Sequence, residues 1–238
     1  AAITETNPIP FPLRKIVQGR RNTQVRLAEV TGINPVTNSI ETNIGSFGYD
    51  YLVIATGCKT NFYGDSDLMR NTFALKTTYD AIKIRNEILQ SFEDLLSATE
   101  SEKEYLLNIV IVGAGPTGVE LSGAFAEIKR NILPKDFPLI DFRSLRIILL
   151  EGSQNTLSSM SNMARDASEK YLRGLGVEVK TGVLVKSYDG RTITLSNGES
   201  IKSKQVIWTA GITGNVISGL DKETVLPNGR IRVDRHNL

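Results

Sequence analysis

The 238-residue chain carries one cysteine (Cys58), one histidine (His236) and one tryptophan (Trp208), and each scarcity closes a route. A single thiol can form neither a disulfide framework nor a dithiol relay, because a relay must pass electrons between two sulfurs. Cys58 therefore reads as a small residue at a strand end, with a redox-active thiol as the alternative, and the lack of a framework fits a cytoplasmic chain. One histidine close to the chain end leaves no His-based triad and no His-rich metal site, so no metal is expected. Trp208, inside an apolar stretch, reads as core. Apolar runs such as Ile147 to Leu150 fall far below the roughly 18 residues of a membrane span. A net charge of +2 gives no reason to expect nucleic acid, and 40% hydrophobic with 23% charged residues is ordinary for a soluble globular chain. The opening "AAITETNPIPFPLRKIVQGRRNT" has no Met, no signal-type apolar core and no glycine turn.

What the sequence does contain is an echo. "VRLAEVTGINPVTNSIETNIGSFGYDYLVIATG" (Val25 to Gly57) lies against "VEVKTGVLVKSYDGRTITLSNGESIKSKQVIWTAG" (Val177 to Gly211). Each copy predicts an alternating strand, a turn, a second alternating strand, a polar corner and an apolar strand, "YDYLVIATG" or "QVIWTAG".

Before the second copy, "NIVIVGAGPTGVELSGAFAEI" (Asn108 to Ile128) predicts a short buried strand, a glycine turn and a helix. The turn runs Gly113, Ala114, Gly115, Pro116, Thr117, Gly118. Its glycines answer three needs of a dinucleotide site: Gly113 for the tight turn, Gly115 for backbone approach to a pyrophosphate, and Gly118 for helix–strand packing. The amides of the first helical turn then face the phosphates. The next strand, in "LRIILLEG" (Leu145 to Gly152), ends on Glu151, a carboxylate that can accept hydrogen bonds from a ribose diol and would repel a 2′-phosphate. With no Arg or Lys in the following Gly-Ser-Gln-Asn, NAD(H) is expected over NADP(H). Glu151 comes 33 residues after Gly118 instead of at the usual spacing of about 20 residues, so Lys129 to Ser144 reads as an insertion.

Between the copies, Ile84, Ile88, Phe92, Leu95 and Leu96 recur at helical spacing within Thr77 to Leu106. A linker helix laying this stripe on the first domain is expected, with a membrane-surface helix as the alternative and a domain boundary near Glu104.

In combination, "FPLRKIV", "VRLAEVTGI", "YDYLVIATG", "IVGAGPTGVELSGAFAEI", "LPKDFPLIDFRSLRIILLEG" and "VIWTAGI" resemble the type II NADH dehydrogenases, membrane-peripheral NADH:quinone oxidoreductases among the two-dinucleotide flavoproteins. The resemblance covers essentially the whole chain. It implies an α/β fold: a Rossmann-like NAD-binding domain, parallel sheet with β-meander, plus an incomplete FAD-binding domain. The segments would be 1–78 (partial FAD domain), 79–104 (linker helix), 105–214 (NAD domain) and 215–238 (return to the FAD domain). It further implies Val30, Thr56 and Gly57 as FAD contacts, Ala210 and Gly211 beside the nicotinamide, and Glu120 as a catalytic carboxylate, partly buried close to the nicotinamide and the quinone-side cavity, with a helix-dipole-favoured acid in the first turn as the alternative. The family's FAD glycine turn and membrane-binding helices have no counterpart in this sequence, which predicts an inactive fragment, soluble by itself, that does not retain FAD. Its unmatched meander would expose apolar surface that invites homodimerisation. The intact protein would pass electrons from NADH through FAD to a quinone on the cytoplasmic side of the inner membrane. Rival readings are a ferredoxin reductase or apoptosis-inducing-factor-like flavoprotein and a non-catalytic NAD-sensing module.

Overall fold

The computed structural model describes residues 12–236. The start of the expected 1–78 segment, including Phe11 of "FPLRKIV", and the end of the 215–238 segment lie outside the described residues. The chain divides into two compact units. One gathers the residues up to Lys59 with those from Thr213 onward, and the other is Thr60–Ile212.

The first unit begins with a single turn, α1 (Leu13–Ile16), and then forms an antiparallel meander of β1 (Val30–Asn34), β2 (Ser39–Thr42) and β3 (Gly45–Gly48). Ile33 lies opposite Ile40, and Ile40 opposite Phe47, so the alternating pattern sets the register. The Asn34 side-chain oxygen closes the first turn by accepting from the Val36 and Thr37 amides at 3.1 and 3.2 Å. Residues after Thr213 return along the meander, where the Ile33 amide donates to the Ser218 carbonyl at 2.8 Å.

The apolar strand expected of "YDYLVIATG" does not form. Tyr51 to Gly57 has no strand, and Tyr51 and Val53 are 95% and 86% exposed. A buried parallel strand must place its amides and carbonyls on neighbours, and no strand pairs with this stretch among the described residues. Ile33 is the one apolar side chain of the unit that is buried among those residues. A unit with so little core opens at small free-energy cost. Limited trypsin digestion is therefore expected to cut at the exposed Arg20, Arg21 or Arg26 on the order of tenfold sooner than within Thr60–Ile212; equal lifetimes of the two regions would contradict this.

After β4 (Cys58–Thr60) the second unit follows. It contains α2 (Ser66–Asn71), β5 (Phe73–Ala74), α3 (Thr78–Leu95), α4 (Glu100–Leu107), β6 (Asn108–Val112), α5 (Pro116–Asn131) and α6 (Leu133–Asp136). Next come β7 (Arg146–Leu150), α7 (Asn162–Gly174), β8 (Glu178–Lys180), a second meander of β9 (Val185–Tyr188), β10 (Thr192–Leu195) and β11 (Ser200–Lys202), and then β12 (Gln205–Trp208). The chain crosses back along β13 (Ile212–Gly214). Strands β5, β12, β6, β7 and β8 form a parallel sheet in that order. The echo is thus half realised: "QVIWTAG" supplies a strand flanked on both sides, every residue of it buried.

The pleat sorts the sheet residues. Val110, Val112, Ile148, Leu150, Val206 and Trp208 join Tyr188, Ile193, Leu195, Ile201 and Leu68 in a core beneath the second meander. Burial pushes the Tyr188 phenol pKa up, and its hydroxyl donates to the Ser203 carbonyl at 2.8 Å. The opposite face, with Ile109, Ile111, Ile147, Leu149 and Ile207 also buried, is where α3 packs: Ser91 of that helix meets Gln205 of β12. The sheet is hydrophobic on both sides because it is covered on both.

The helix expected as a linker laid on the first domain belongs instead to this unit. It breaks into α3 and α4, and α3 starts on a capping box between Thr77 and Asp80. Ile84, Ile88, Phe92 and Leu95 are buried and only Leu96 of the stripe is exposed, at 55%. Phe92 meets Phe142 and Phe137 edge to face, with ring centroids 5.1 and 5.6 Å apart. The stretch read as an insertion therefore anchors α3 on its own domain. Each such buried side chain contributes about 1.5–3 kcal/mol, more than an exposed membrane-surface or linker position would supply. The division between units accordingly falls at 59/60 and 212/213.

Candidate functional site: a cleft at the carboxyl ends of the parallel strands

Gly113 follows β6, Glu151 follows β7 and Thr209 follows β12, so all three stand at the carboxyl edge of the sheet, where open α/β sheets bind ligands. They border a cleft of about 720 Å³ lined by Phe62, Tyr63, Gly113, Gly115, Glu151, Gly152, Leu184 and Thr209 to Gly211, among others.

The three glycines of the turn differ as their spacing predicts. Gly113 has φ +102°, a left-handed value, and a Cβ there would stand 2.6 Å from the Ala210 Cα. A Cβ on Gly118 would fall 1.8 Å from the Gly113 carbonyl oxygen, so the helix touches the turn through bare backbone. A Cβ on Gly115 would meet nothing within 4 Å, although Gly115 lines the cleft. Gly115 is thus free of intramolecular crowding and faces the space a ligand would enter.

Hydrogen bonding narrows which amides can serve an anion. The Gly113 amide donates to the Leu150 carbonyl at 2.7 Å, and the Ala114 amide donates to Glu151 Oε2 at 2.6 Å. Pro116, the first residue of α5, has no N–H, and Gly115 caps the helix without a side-chain bond. The donors left to face a phosphate are those of Gly115, Thr117 and Gly118, since first-turn amides have no partner within a helix.

Glu151 is more firmly held than a bare strand-end carboxylate. Besides Ala114, its Oε1 accepts from the Ser153 amide at 2.8 Å, so the carboxylate bridges the glycine turn and the following loop. Each oxygen retains a lone pair for a further donor. Leu184 lies over this end, within 2.5 Å of where a Gly152 Cβ would be. The loop after Glu151 is fixed in turn, because the Leu157 amide donates to the Ala114 carbonyl at 2.8 Å. The dinucleotide fit is therefore met by these residues: open backbone at Gly115, free first-turn donors, and a carboxylate one strand away.

Other expected site residues are placed differently. Glu120 lies beyond the first turn of α5, is exposed and is not among the cleft residues; the partial burial expected for it is not found, because the helix turns that side chain outward. Ala210 and Gly211 do border the cleft. Val30, 39% exposed, sits in β1, while Thr56 and Gly57 are engaged with Asn215: the Thr56 hydroxyl donates to its carbonyl at 2.9 Å, its side-chain amide donates to the Thr56 carbonyl at 3.0 Å, and its backbone amide donates to the Gly57 carbonyl at 3.2 Å. Trp208 is core, 5% exposed, with its indole N–H donating to the Asn61 carbonyl at 2.9 Å.

Sequence reasoning passed over Phe62 and Tyr63, which line the cleft from the stretch preceding α2. The Tyr63-Gly64 pair, both at positive φ, is a turn signal, yet nothing in its spacing ties it to the glycine turn 50 residues later.

A profile of the pyridine nucleotide-disulphide oxidoreductase family matches residues 3–237. The chain is 30% identical over 242 residues to the type II NADH:quinone oxidoreductase Ndh of Mycobacterium tuberculosis, covering 98% of this chain and 51% of that protein. It is likewise 30% identical to the mitochondrial external alternative NAD(P)H-ubiquinone oxidoreductase B2 of Arabidopsis thaliana, covering 95% of this chain and 42% of that protein. A structure of NDH2 from Plasmodium falciparum in complex with NADH superposes with a TM-score of 0.72 at 25% identity, covering 80% of this chain and 41% of that one. The chain spans about half the length of the curated relatives it matches.

Proposed function

Because the chain belongs to the pyridine nucleotide-disulphide oxidoreductase family, we propose that its Thr60–Ile212 unit binds NAD(H) and that the whole protein is a type II NADH dehydrogenase with a quinone as acceptor. The observation that carries this reading is the division of labour among Gly113, Gly115 and Gly118: two are filled by close backbone contact and the third is left open on the cleft. Bound nicotinamide would supply a hydride for a flavin. The protein's own part is orientation and electrostatics: first-turn amides of α5 at the pyrophosphate, Glu151 at the adenosine ribose, and the Ala210–Gly211 backbone at the nicotinamide end. The catalytic role proposed for Glu120, beside nicotinamide and quinone, rests on the resemblance alone, since its exposed side chain lies outside the cleft.

The similarity to NADH:quinone oxidoreductases supports the quinone assignment. No helix among the described residues is long and apolar enough to cross a membrane; peripheral attachment on the cytoplasmic face of the inner membrane belongs to the proposal, as does a homodimer formed through exposed side chains such as Leu27, Tyr51 and Val53.

Flavin fits the described residues less well. No second strand, glycine turn and helix stands in the flanking unit among them, and the Thr56 and Gly57 backbone is already bonded to Asn215. The chain purified by itself is therefore expected to bind one NADH in calorimetric titration and to show no stoichiometric flavin absorption after gel filtration. Absence of NADH binding would overturn the nucleotide reading, and flavin bands would overturn the cofactor division.

A further inference from the structure

We propose that Tyr63 is a positioning residue of the nucleotide site: its phenol fixes the Ala210–Gly211 peptide against the glycine turn and so sets the fit of the nicotinamide end of the ligand. The inference rests on the dinucleotide reading above and assigns a role within it to a residue that the glycine fingerprint does not include.

Tyr63 is 69% exposed, so it is not core, and yet it is tightly tethered. Its hydroxyl donates to the Ala210 carbonyl at 2.7 Å, and its amide donates to Asn61 Oδ1 at 2.9 Å. Asn61 is held at both backbone ends: its amide donates to the Gly211 carbonyl at 3.0 Å, and its carbonyl accepts the Trp208 indole N–H at 2.9 Å. Residues 61–63 thus form a strap across the exit of β12. To make it, Tyr63 adopts φ +54°, a value a bulky side chain seldom takes without a compensating constraint.

The strap clamps one peptide from two sides. A Cβ on Gly211 would lie 2.6 Å from the Tyr63 hydroxyl oxygen, and a Cβ on Gly113 would lie 2.6 Å from the Ala210 Cα. Ala210 therefore sits between the pyrophosphate turn and the tyrosine, close to the first and hydrogen-bonded to the second. The cleft has two ends about the glycine turn: Glu151, Gly152 and Leu184 at one, and Tyr63 with Thr209 to Gly211 at the other. With the adenosine ribose on Glu151 and the pyrophosphate on Gly115, the nicotinamide is directed to the Tyr63 end. Removing the phenol hydroxyl frees the Ala210 carbonyl and loosens only that end.

This makes the ligand itself the discriminating probe. ADP-ribose carries the adenosine and pyrophosphate but lacks nicotinamide. Wild type and Tyr63→Phe are titrated with NADH and with ADP-ribose by calorimetry, with the thermal melt of each recorded. Tyr63→Phe is expected to raise the NADH Kd about fivefold to tenfold, the effect of one lost positioning hydrogen bond, and to leave the ADP-ribose Kd within about twofold. A Tyr63→Phe protein in which both ligands weaken together, or neither does, overturns the proposal, as does one that no longer folds, since Tyr63 would then be a packing residue. If wild type binds neither ligand, the nucleotide reading falls and takes this inference with it. If wild type binds both and Tyr63→Phe leaves their ratio unmoved, only the role of Tyr63 falls.

Discussion

Gly115→Val is expected to reduce NADH affinity at least about a hundredfold while the protein still folds, whereas Gly118→Ala is expected to damage the fold itself. The two glycines stand three positions apart on the same turn, and the difference comes from what a side chain would meet. At Gly115 the backbone has φ −70° and ψ −178°, values open to any residue, and a Cβ finds no neighbour within 4 Å. The only intramolecular cost is a poorer helix cap, about 1 kcal/mol, or roughly 2–4 °C in Tm for a chain of this size. The valine side chain would, however, keep the backbone from approaching a pyrophosphate. At Gly118 the added Cβ lies 1.8 Å from the Gly113 carbonyl oxygen and 3.0 Å from Thr209 Oγ1. Helix α5 must move outward, parting from β6 and β7 along its length. Overpacking of this kind against backbone costs on the order of 3 kcal/mol or more, a fall of about 10 °C in Tm. Thermal melts and NADH titrations of both variants check the pair. A Gly115→Val protein that binds NADH like wild type would remove the phosphate from this turn, and an unshifted melt for Gly118→Ala would contradict the close packing of α5.

Coenzyme choice should turn on Glu151 by a factor of about ten to a hundred. A carboxylate about 4 Å from a 2′-phosphate repels it by roughly 4 kcal/mol per unit charge pair at an effective dielectric near 20. Solvent and side-chain movement reduce this to a preference for NADH on the order of 1–3 kcal/mol. The structure adds a cost that Glu151→Gln must meet. The carboxylate accepts from Ala114 and Ser153 on its two oxygens. Glutamine offers one acceptor oxygen, so one of these amides loses its partner, a penalty of about 1–3 kcal/mol when buried. Glu151→Gln is therefore expected to weaken NADH binding, weaken NADPH binding less, and lower the melting temperature. Glu151→Arg is expected to favour NADPH outright. Titrating both coenzymes against the three proteins tests this, and a wild type that binds the two equally, or a ratio that Glu151→Gln leaves unmoved, would remove Glu151 from the ribose site.

Much of the candidate site's backbone geometry could be read before any fold was known, because its demands are local. A strand, a turn needing a left-handed residue and a helix that must touch the turn impose glycine at fixed offsets. Gly113 at φ +102° and Gly118 against the Gly113 carbonyl answer those demands one by one. Gly118 and Glu151 are 33 residues apart, with two prolines between them. In space the intervening Phe137 and Phe142 fold back on Phe92, and β7 pairs with β6 in register, Val112 beside Leu150. The carboxylate thus arrives at the Ala114 amide despite the longer connection.

The fates of "YDYLVIATG" and "QVIWTAG" separate what the chain states locally from what only the assembled structure decides. Composition and periodicity determined that both stretches are apolar and strand-like, that two meanders precede them, and that one glycine turn stands between the copies. They could not say which stretch would find partners. Parallel strands exchange hydrogen bonds with segments distant in sequence, so Gln205–Trp208 becomes a central strand because β5 and β6 flank it, while Tyr51 to Gly57, with no strand alongside among the described residues, leaves Tyr51 and Val53 in solvent. Tyr63 is the same lesson at a single residue: its hydroxyl meets Ala210, 147 positions away, and no local pattern could announce a contact whose geometry exists only once β12 has docked beside β6.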